Sequence, residues 1–309
     1  MAAVDAGYQL HAKPPYQCTL NPELQARALK ELGERPDWRE RDIEALRCIV
    51  RDLPDLNCPL SDAFLLRFLR AKKFDYDKAA NLIKAYFAVR QKHRHIFNNL
   101  MPSKVEQVSE GFVGFLPDVD FLGARVLFLD LSGWTQERAT AQDLLQVLLL
   151  HLEIAIASEP CQVNGISVLV DLRGLSVHRI ISHLKTSHLR VLVHCLQGCF
   201  PMRTRAIHFV QESTFLDILI TLIRPLLTEK LRQRLHFHGH HPESLLQHMD
   251  RDILPESLGG PAGSQFDNQF HQRMLASEPY FLELALFGYL VLPPEERDGG
   301  DDRNSSLNR

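Results

Sequence analysis

The N-terminal third of the chain places apolar positions at helical spacing. Within residues 37–53 the apolar side chains recur every three or four positions, which predicts an amphipathic helix. They are Ile43, Leu46, Ile49 and Val50. Residues that favour helix starts are Asn21, Ser61, Asp62 and Asp75. We therefore predict a small helical domain over residues 20–98, after a disordered arm over residues 1–19.

Beyond residue 111 the apolar residues come in short runs bounded by glycine, proline or polar turns. These runs are rich in valine, isoleucine, leucine and phenylalanine, which is typical of strands. They cover residues 111–117, 125–131, 165–172 and 205–211. Helical stretches separate the later runs, and that alternation predicts an α/β fold with a mostly parallel sheet. We place this domain at residues 99–278, followed by a C-terminal helix and a disordered acidic and polar tail at residues 279–309.

The composition is typical of a soluble globular protein. The 309 residues carry a net charge of −3, so a partner attracted by charge must meet a local patch, and nucleic acid is not an expected partner. The apolar stretch 144–157 is interrupted by Gln146, His151 and Glu153, which predicts a buried helix rather than a membrane span. The chain starts without a signal-peptide pattern and its six cysteines lack ligand spacing, so we expect a cytosolic protein with reduced thiols.

The sequence lacks the motifs of common catalytic sites. It contains no Gly-x-Gly-x-x-Gly after a strand, no phosphate-binding loop that ends in Gly-Lys-Ser or Gly-Lys-Thr, and no Gly-x-Ser-x-Gly elbow. The glycine-rich stretch 259–263 opens no helix and is interpreted as a turn. We therefore expect a protein that is not an enzyme, with no catalytic residues and no cofactor.

Histidines are concentrated in the stretch HFHGHH at residues 236–241. Alternation along a strand would put His236 and His238 on one face, at a spacing that metals use. Because no cysteine or carboxylate stands at ligand spacing, the preferred interpretation is a short strand and its turn, with no metal site. His208 lies among apolar residues of a predicted strand, which is typical of a hydrogen-bonded core histidine.

One helix and the basic residues around it have unusual patterns. Residues 213–227 are apolar around nearly the whole helix, which suits either a buried core helix or a lid over an apolar ligand. Arg203 and Arg205 share a face of the strand before this helix. Lys230 and Arg234 share a face of the helix after it. Such pairs suit either a solvated basic surface or a phosphate-binding site.

Five segments of the chain have the sequence and the order of motifs found together in a known protein family. They are DAFLLRFLRAKKFDYDKA (62–79), QVNGISVLVDLRGL (162–175), CFPMRTRAIHFVQE (199–212), RPLLTEKLRQRLHFHG (224–239) and DILPESLGG (252–260). Together they resemble the CRAL-TRIO lipid-binding family over residues 20–280. The resemblance is closest to the branch that holds the α-tocopherol transfer protein, the clavesins and the retinaldehyde-binding protein. It implies a helical N-terminal domain beside an α/β domain that encloses a deep apolar cavity, closed by a mobile gate helix.

The resemblance also implies roles for individual residues. The gate corresponds to residues 215–226, with the apolar side chains Phe215, Ile218, Leu219, Leu222 and Ile223. A phosphoinositide-binding basic cleft corresponds to Lys72, Arg203, Arg205, Lys230 and Arg234. The expected lining of the lipid cavity is Leu148, His151, Leu152, Val168, Val170, Leu192, Leu196, Phe200 and Ile207. Leu148 and Leu152 replace small hydroxyl residues of the tocopherol carrier, which disfavours tocopherol because its buried hydroxyl would lack a partner.

The function implied by the resemblance is that of a cytosolic carrier. It would bind one small hydrophobic ligand (tocopherol-, retinoid- or phospholipid-like) and exchange it at membranes that contain phosphoinositides, bisphosphate forms in particular. We expect a monomer that associates peripherally with endosomal or plasma membranes. The alternative is a lipid-regulated adaptor in membrane trafficking, which binds a protein partner through its tail or its N-terminal arm and transfers no lipid. An enzyme on the same scaffold is disfavoured by the absent motifs.

Overall fold

The computed structural model describes residues 16–98, 100–175, 182, 185–211, 220–221, 223–263 and 266–291, without the side chains of residues 106, 107, 109, 110 and 242. The N-terminal helices are α1 (Pro22–Arg27), α2 (Arg39–Arg51), α3 (Asp62–Ala71), α4 (Tyr76–Lys92) and α5 (Arg94–Phe97). The side chain of Asn21 caps α1 by accepting a hydrogen bond from the Leu24 N–H at 2.8 Å. Asp75 caps α4 in the same way, at 3.0 Å from the Lys78 nitrogen. The predicted helical N-terminal region is confirmed.

Five strands form one mixed sheet in the order β2–β3–β4–β5–β6. Their bounds are Val113–Val119, Arg125–Asp130, Ile166–Asp171, Thr204–Val210 and Leu235–Phe237. The hairpin β2–β3 is antiparallel and the other neighbours are parallel, which confirms the mostly parallel sheet. The parallel strands β3 to β6 all begin at one side of the sheet, which we call the N-terminal edge.

Helices α6 to α13 accompany the sheet. Their bounds are Pro102–Phe112, Ala141–Ala157, Glu159–Asn164, Thr186–His194, Glu229–Arg232, Pro242–Leu245, Asn268–Leu275 and Glu278–Leu284. Helix α7 (Ala141–Ala157) is buried along most of its length, as its apolar pattern predicts. The polar side chains that interrupt the pattern find partners inside the protein. Gln146, for example, donates a hydrogen bond to the carbonyl of Ile96 at 2.7 Å.

The two faces of the sheet pack against different cores because side chains alternate along each strand. On the front face, Val168 and Ile207 belong to a large core that includes residues of α7 and α9 and continues into the N-terminal helices. On the back face, Leu169 packs with Leu245 and Met249 in a smaller core. The segments that follow β6 therefore cover the back of the sheet.

A short antiparallel ribbon joins two distant parts of the chain. Strand β1 (Leu56–Asn57) pairs with β7 (Gly288–Tyr289), and Leu56 lies opposite Tyr289. The ribbon could not be predicted from the sequence, because strands of two residues carry no periodicity. The ribbon fastens the last described residues to the N-terminal helices.

A buried group of polar side chains, here called the Glu153 cluster, fastens the N-terminal helices to the α/β domain. The carboxylate of Glu153 lies 3.5 Å from a nitrogen of Arg67 and 2.6 Å from one of Arg90. It also accepts hydrogen bonds from the hydroxyls of Tyr86 and Tyr280, each at 2.8 Å. Burial raises the pKa of both tyrosines, so both hydroxyls stay protonated and can donate. The charge of Glu153 is thereby paired with two guanidinium groups, although the Nε atoms of Arg67 and Arg90 lack hydrogen-bond partners among the described residues.

A second buried group of polar side chains surrounds Arg70, three residues further along α3. Arg70 donates hydrogen bonds to Glu34 and to Gln162, each at 2.7 Å, and lies 3.2 Å from a carboxylate oxygen of Glu159. Glu34 belongs to the N-terminal region, whereas Gln162 and Glu159 belong to α8. Because an unpaired buried charge is costly, these contacts hold α3 and α8 in one relative position.

All six cysteines lie in the described residues, and each is a free thiol. This agrees with the reduced thiols expected from the sequence. Among the helices that the structure describes, none has the length and apolar character needed to cross a bilayer.

Candidate functional site

The front face of the sheet carries side chains expected to surround a lipid. Val168, Val170 and Ile207 keep 6, 7 and 7% of their surface exposed, whereas Leu169 on the back face keeps 0%. All of them lie on β4 and β5, which have a strand on either side. All four side chains are therefore buried, and those of the front face belong to the large core that continues into the N-terminal helices.

The other apolar residues of the expected lining lie around the same region. Leu148 and Leu152 of α7 are buried in the front-face core, and so is Phe200. Leu192 and Leu196 are partly buried against that core. The structure thus brings the apolar positions together, and their contact with a lipid stays a prediction.

His151 packs against two phenylalanine rings. Its ring stacks on Phe270 with centroids 5.8 Å apart and lies 6.3 Å from the ring of Phe115. These three residues help to line a pocket of about 430 Å³ between β2 and α12. Burial lowers the pKa of His151 to about 4, so the ring is neutral at pH 7. Its Nδ1 lies 2.8 Å from the carbonyl oxygen of Val147 and must carry the proton, which leaves Nε2 as the acceptor.

The expected gate is described only at its end. Phe215, Ile218, Leu219 and Leu222 lie outside the described residues. Ile223 is buried in the front-face core. The side chain of Gln197 donates a hydrogen bond to the Leu226 carbonyl at 2.7 Å and accepts one from the Thr228 N–H at 3.0 Å. Gln197 was not identified from the sequence, and it holds the end of the expected gate segment against the helix before β5.

Cationic side chains gather at the N-terminal edge of the sheet. Arg203 and Arg205 stand at the start of β5, and both bond to the same oxygen of Glu31, at 2.7 and 3.0 Å. The two guanidinium groups thus lie on one side of the strand, as alternation predicts. Further hydrogen bonds from Arg203, Arg205 and Arg234 go to the backbone carbonyls of Val163, Asn164 and Thr204, in that order.

Gly165 allows the start of β4 to approach these arginines. Its φ angle is +88°, and a Cβ atom there would lie 2.4 Å from the carbonyl oxygen of Arg203. A glycine is needed on both counts. The same carbonyl accepts a hydrogen bond from the Ile166 N–H at 2.9 Å. The glycine of the QVNG segment therefore helps to set the position of Arg203.

The lysines complete an electropositive cluster. Burial, and then the charges of Arg234, Lys72, Lys73 and Arg203, lower the pKa of Lys230. These cations are therefore close enough to repel one another. Within the described ranges, no carboxylate pairs with Lys72 or Lys230. The structure brings the predicted phosphoinositide residues into one region, and we call it the basic edge; its members are Lys72, Arg203, Arg205, Lys230 and Arg234.

Glu31 is an acidic member of this surface that the sequence analysis missed. Burial raises the pKa of its carboxyl group, but hydrogen bonds from Arg203 and Arg205 outweigh that effect and lower the pKa overall. The carboxylate is therefore ionised, and it pairs with two guanidinium groups of the predicted phosphoinositide site. Its sequence context, four residues after Arg27, is common on exposed helices and gave no signal.

An apolar hairpin tip lies beside the basic edge. Phe121 and Leu122, between β2 and β3, are 62 and 54% exposed. Arg27 links this tip to the edge, since its Nη1 donates hydrogen bonds to the Leu122 carbonyl at 2.9 Å and to the Asn164 side chain at 2.7 Å. Exposed apolar side chains next to cations are typical of surfaces that contact anionic bilayers.

The histidine-rich stretch forms the strand and turn that its pattern predicts. His236 lies in β6, His238 is buried, and the two histidines after it are exposed. His208 is buried, and its Nδ1 lies 3.0 Å from Nε2 of His238. Burial, and then the neighbouring imidazoles, lower the pKa of His208 to about 3. His208 is therefore a neutral, hydrogen-bonded core residue, as expected.

Comparison with known proteins gives matches over both parts of the chain. The family model of the CRAL/TRIO domain matches residues 109–260, and the model described as Pinta-like, UBA domain matches residues 35–107. The Homo sapiens alpha-tocopherol transfer protein-like is 39% identical over 272 residues, which cover 87% of this chain and 79% of that protein. Homo sapiens Clavesin-2 is 38% identical over 248 residues, which cover 79% of this chain and 76% of that protein.

A solved structure agrees at the level of the fold. The crystal structure of Sfh5 superposes with a TM-score of 0.51 at 13% sequence identity. The superposition covers 87% of this chain and 98% of the Sfh5 chain. At that identity the likeness concerns the fold alone.

Proposed function

The chain belongs to the CRAL/TRIO family, and from that membership we propose that it is a non-catalytic lipid-transfer protein. It holds one small hydrophobic molecule over the front face of the sheet and exchanges that molecule at membranes that contain phosphoinositides. It works from the cytosol, as a monomer, at endosomal or plasma membranes. No bond is made or broken.

The observation that carries the proposal is the apolar space over the front face of the sheet, where Val168, Val170 and Ile207 belong to the large hydrophobic core. Transfer of apolar surface from water into such a space is favourable by about 25 cal/mol per Å². A ligand that buries about 300 Å² there would gain roughly 7 kcal/mol from burial alone. Retention therefore needs few polar contacts, and the lining supplies few.

The basic edge supports membrane docking. Its lysines lack carboxylate partners among the described residues. Burial, and then repulsion by neighbouring cations, lowers the pKa of Lys230, and a polyanionic headgroup would relieve that repulsion. The hairpin tip with Phe121 and Leu122 would enter the headgroup region beside it. Exchange follows when the membrane stabilises the open gate by more than the ligand stabilises the closed one.

The test of this proposal is native mass spectrometry with lipid extraction on the full chain, followed by transfer between donor and acceptor vesicles. We expect one stoichiometric lipophile and transfer that quickens when the acceptor contains a phosphoinositide bisphosphate. A protein that is empty and takes up neither tocopherol, retinoids nor phospholipids would overturn the proposal. Tight binding without transfer would instead favour the lipid-regulated adaptor.

Replacement of Glu31 by glutamine should strengthen binding to phosphoinositide vesicles. The change removes a carboxylate that competes with phosphate for Arg203 and Arg205. Since partly exposed ion pairs contribute about 0.2–1 kcal/mol, we expect a gain of roughly two- to fivefold in vesicle affinity, measured by flotation or surface binding. The matched control is Glu23→Gln, which removes the same charge from an exposed position of α1. An equal gain in the control would show a general charge effect and contradict the role of Glu31.

A further inference from the structure

Four imidazoles meet on the back of the sheet. His208 of β5 lies opposite His236 of β6, and their ring centroids are 5.0 Å apart. The ring of His238 lies 5.2 Å from that of His208. The ring of His248, which comes from the segment after α11, lies 4.8 Å from His208 and 4.7 Å from His236. Strand pairing and back-face packing thus bring together histidines that are scattered along the sequence.

We propose that His208, His238 and His248 form a binding site for a divalent transition-metal ion, with zinc as the best fit. One ring nitrogen from each of the first three lies within 4.8 Å of the other two. Zinc–imidazole bonds of about 2.0–2.1 Å place tetrahedral ligand atoms roughly 3.4 Å apart, so a small inward shift of the rings completes the site. Neutral nitrogen ligands without carboxylates favour zinc, copper or nickel over magnesium or calcium.

The hydrogen bonds of His238 present the correct nitrogen to this site. Its Nδ1 lies 2.7 Å from the hydroxyl oxygen of Ser244, and that hydroxyl donates its proton to the carbonyl of His241 at 3.0 Å. The oxygen of Ser244 must therefore accept a hydrogen bond from Nδ1–H of His238. Nε2 of His238 is left with a free lone pair that points at Nδ1 of His208. A partner on the outer nitrogen is the arrangement that orients histidine ligands in metal sites.

Besides the inward shift of the rings, metal binding needs the shift of one proton at His208. In the metal-free form, Nδ1–H of His208 donates to Nε2 of His238. When both nitrogens bind the ion, the proton of His208 moves to its own Nε2, so the imidazole stays neutral. Access is available from the side of His236 and His248, which are both partly exposed.

The occupied site would be structural. It would tie β5, β6 and the segment after α11 together behind the sheet, next to the core residues Leu245 and Met249.

The experiment uses the full chain, purified without a histidine tag and stripped with a chelator. Cobalt(II) is titrated first, because tetrahedral nitrogen coordination gives visible absorption bands, and zinc(II) is then measured by competition with a chromophoric chelator. We expect one ion per chain and a higher midpoint of thermal unfolding when zinc is present. Ions that bind weakly, in multiple copies and without the cobalt bands would overturn the site.

Matched variants separate this site from surface histidines. His248→Gln removes a proposed ligand and should weaken zinc binding at least 100-fold. Ser244→Ala removes only the partner of His238 and should weaken it about 10- to 100-fold. His241→Ala removes an exposed histidine but keeps the backbone carbonyl, and should change nothing. The proposal would be contradicted if His248→Gln and His241→Ala lost zinc affinity equally, or if neither lost any. The midpoint of thermal unfolding without metal checks that each variant is folded.

Discussion

Replacement of Glu153 by glutamine should lower the free energy of unfolding by roughly 3–5 kcal/mol, the usual cost of leaving a buried charge without its partner. The side chain of Glu153 is fully buried and pairs with Arg67 and Arg90. Glutamine has the same shape but no charge, so both guanidinium groups would remain buried without a counterion. Because these arginines come from α3 and α4, the loss falls on the junction between the N-terminal helices and the α/β domain.

Urea unfolding followed by circular dichroism measures this effect as a fall in the midpoint concentration. The control is Glu229→Gln, which also removes one side of an ion pair, to Arg232, but at a position where the glutamate side chain is 71% exposed. We expect a change within about 0.5 kcal/mol for the control. A Glu153 variant that unfolds at the wild-type urea concentration would show that the ion pairs of Glu153 make no net contribution to the free energy of unfolding.

The double replacement Lys72→Ala with Lys230→Ala should reduce affinity for phosphoinositide vesicles about 30-fold, since each basic residue at an anionic surface contributes about 1 kcal/mol. These two lysines are the informative members of the basic edge. Arg203 and Arg205 also bond Glu31 and backbone carbonyls, so their removal would disturb the protein itself. The lysines lack carboxylate partners among the described residues, and their loss should leave the unfolding midpoint unchanged.

Vesicle flotation at two salt concentrations, with uptake of the co-purified lipid as a second readout, checks this prediction. Uptake from solution should stay at the wild-type level, because neither lysine lies on the front face of the sheet. The matched control is Lys84→Ala with Lys92→Ala, which removes the same charge from α4. If both double variants lose the same affinity, attraction is diffuse and the basic edge is not a binding site.

The sheet could be predicted because its strands are short apolar runs between turns. The expected strand at residues 205–211 is β5 at Thr204–Val210, and the expected strand at residues 165–172 is β4 at Ile166–Asp171. The ribbon between β1 and β7 could not be predicted, because its pairing joins two residues to two others far along the chain. Such long-range strand pairing depends on the packing of the whole protein, so the pattern of apolar residues near each strand does not predict it.

In the candidate site, too, local sequence patterns predicted where individual side chains lie but not which residues they contact. Alternation was enough to place Arg203 and Arg205 on one side of β5, yet the acid that both bond, Glu31, lies on another element. The spacing of Arg67 and Arg70 in FLLRFLRA puts them close together on a helix that is otherwise apolar. What such buried arginines need is a carboxylate, and for Arg67 it stands 86 residues away along the chain. The spacing of the arginines in the sequence indicates that each needs a carboxylate partner. Only the three-dimensional structure shows which residue provides it.

The position of Tyr280 in the Glu153 cluster affects the order in which parts of the protein can fold during synthesis. Domains usually fold in the order in which they leave the ribosome. Here Arg67 and Glu153 emerge well before Tyr280, whose hydroxyl contacts both of them, and before Tyr289, which pairs with Leu56. A nascent chain that has reached Gly260 would therefore contain all five strands of the sheet but still lack the residues that finish the domain junction. We therefore expect the N-terminal helices to dock stably on the α/β domain only after translation of this late segment.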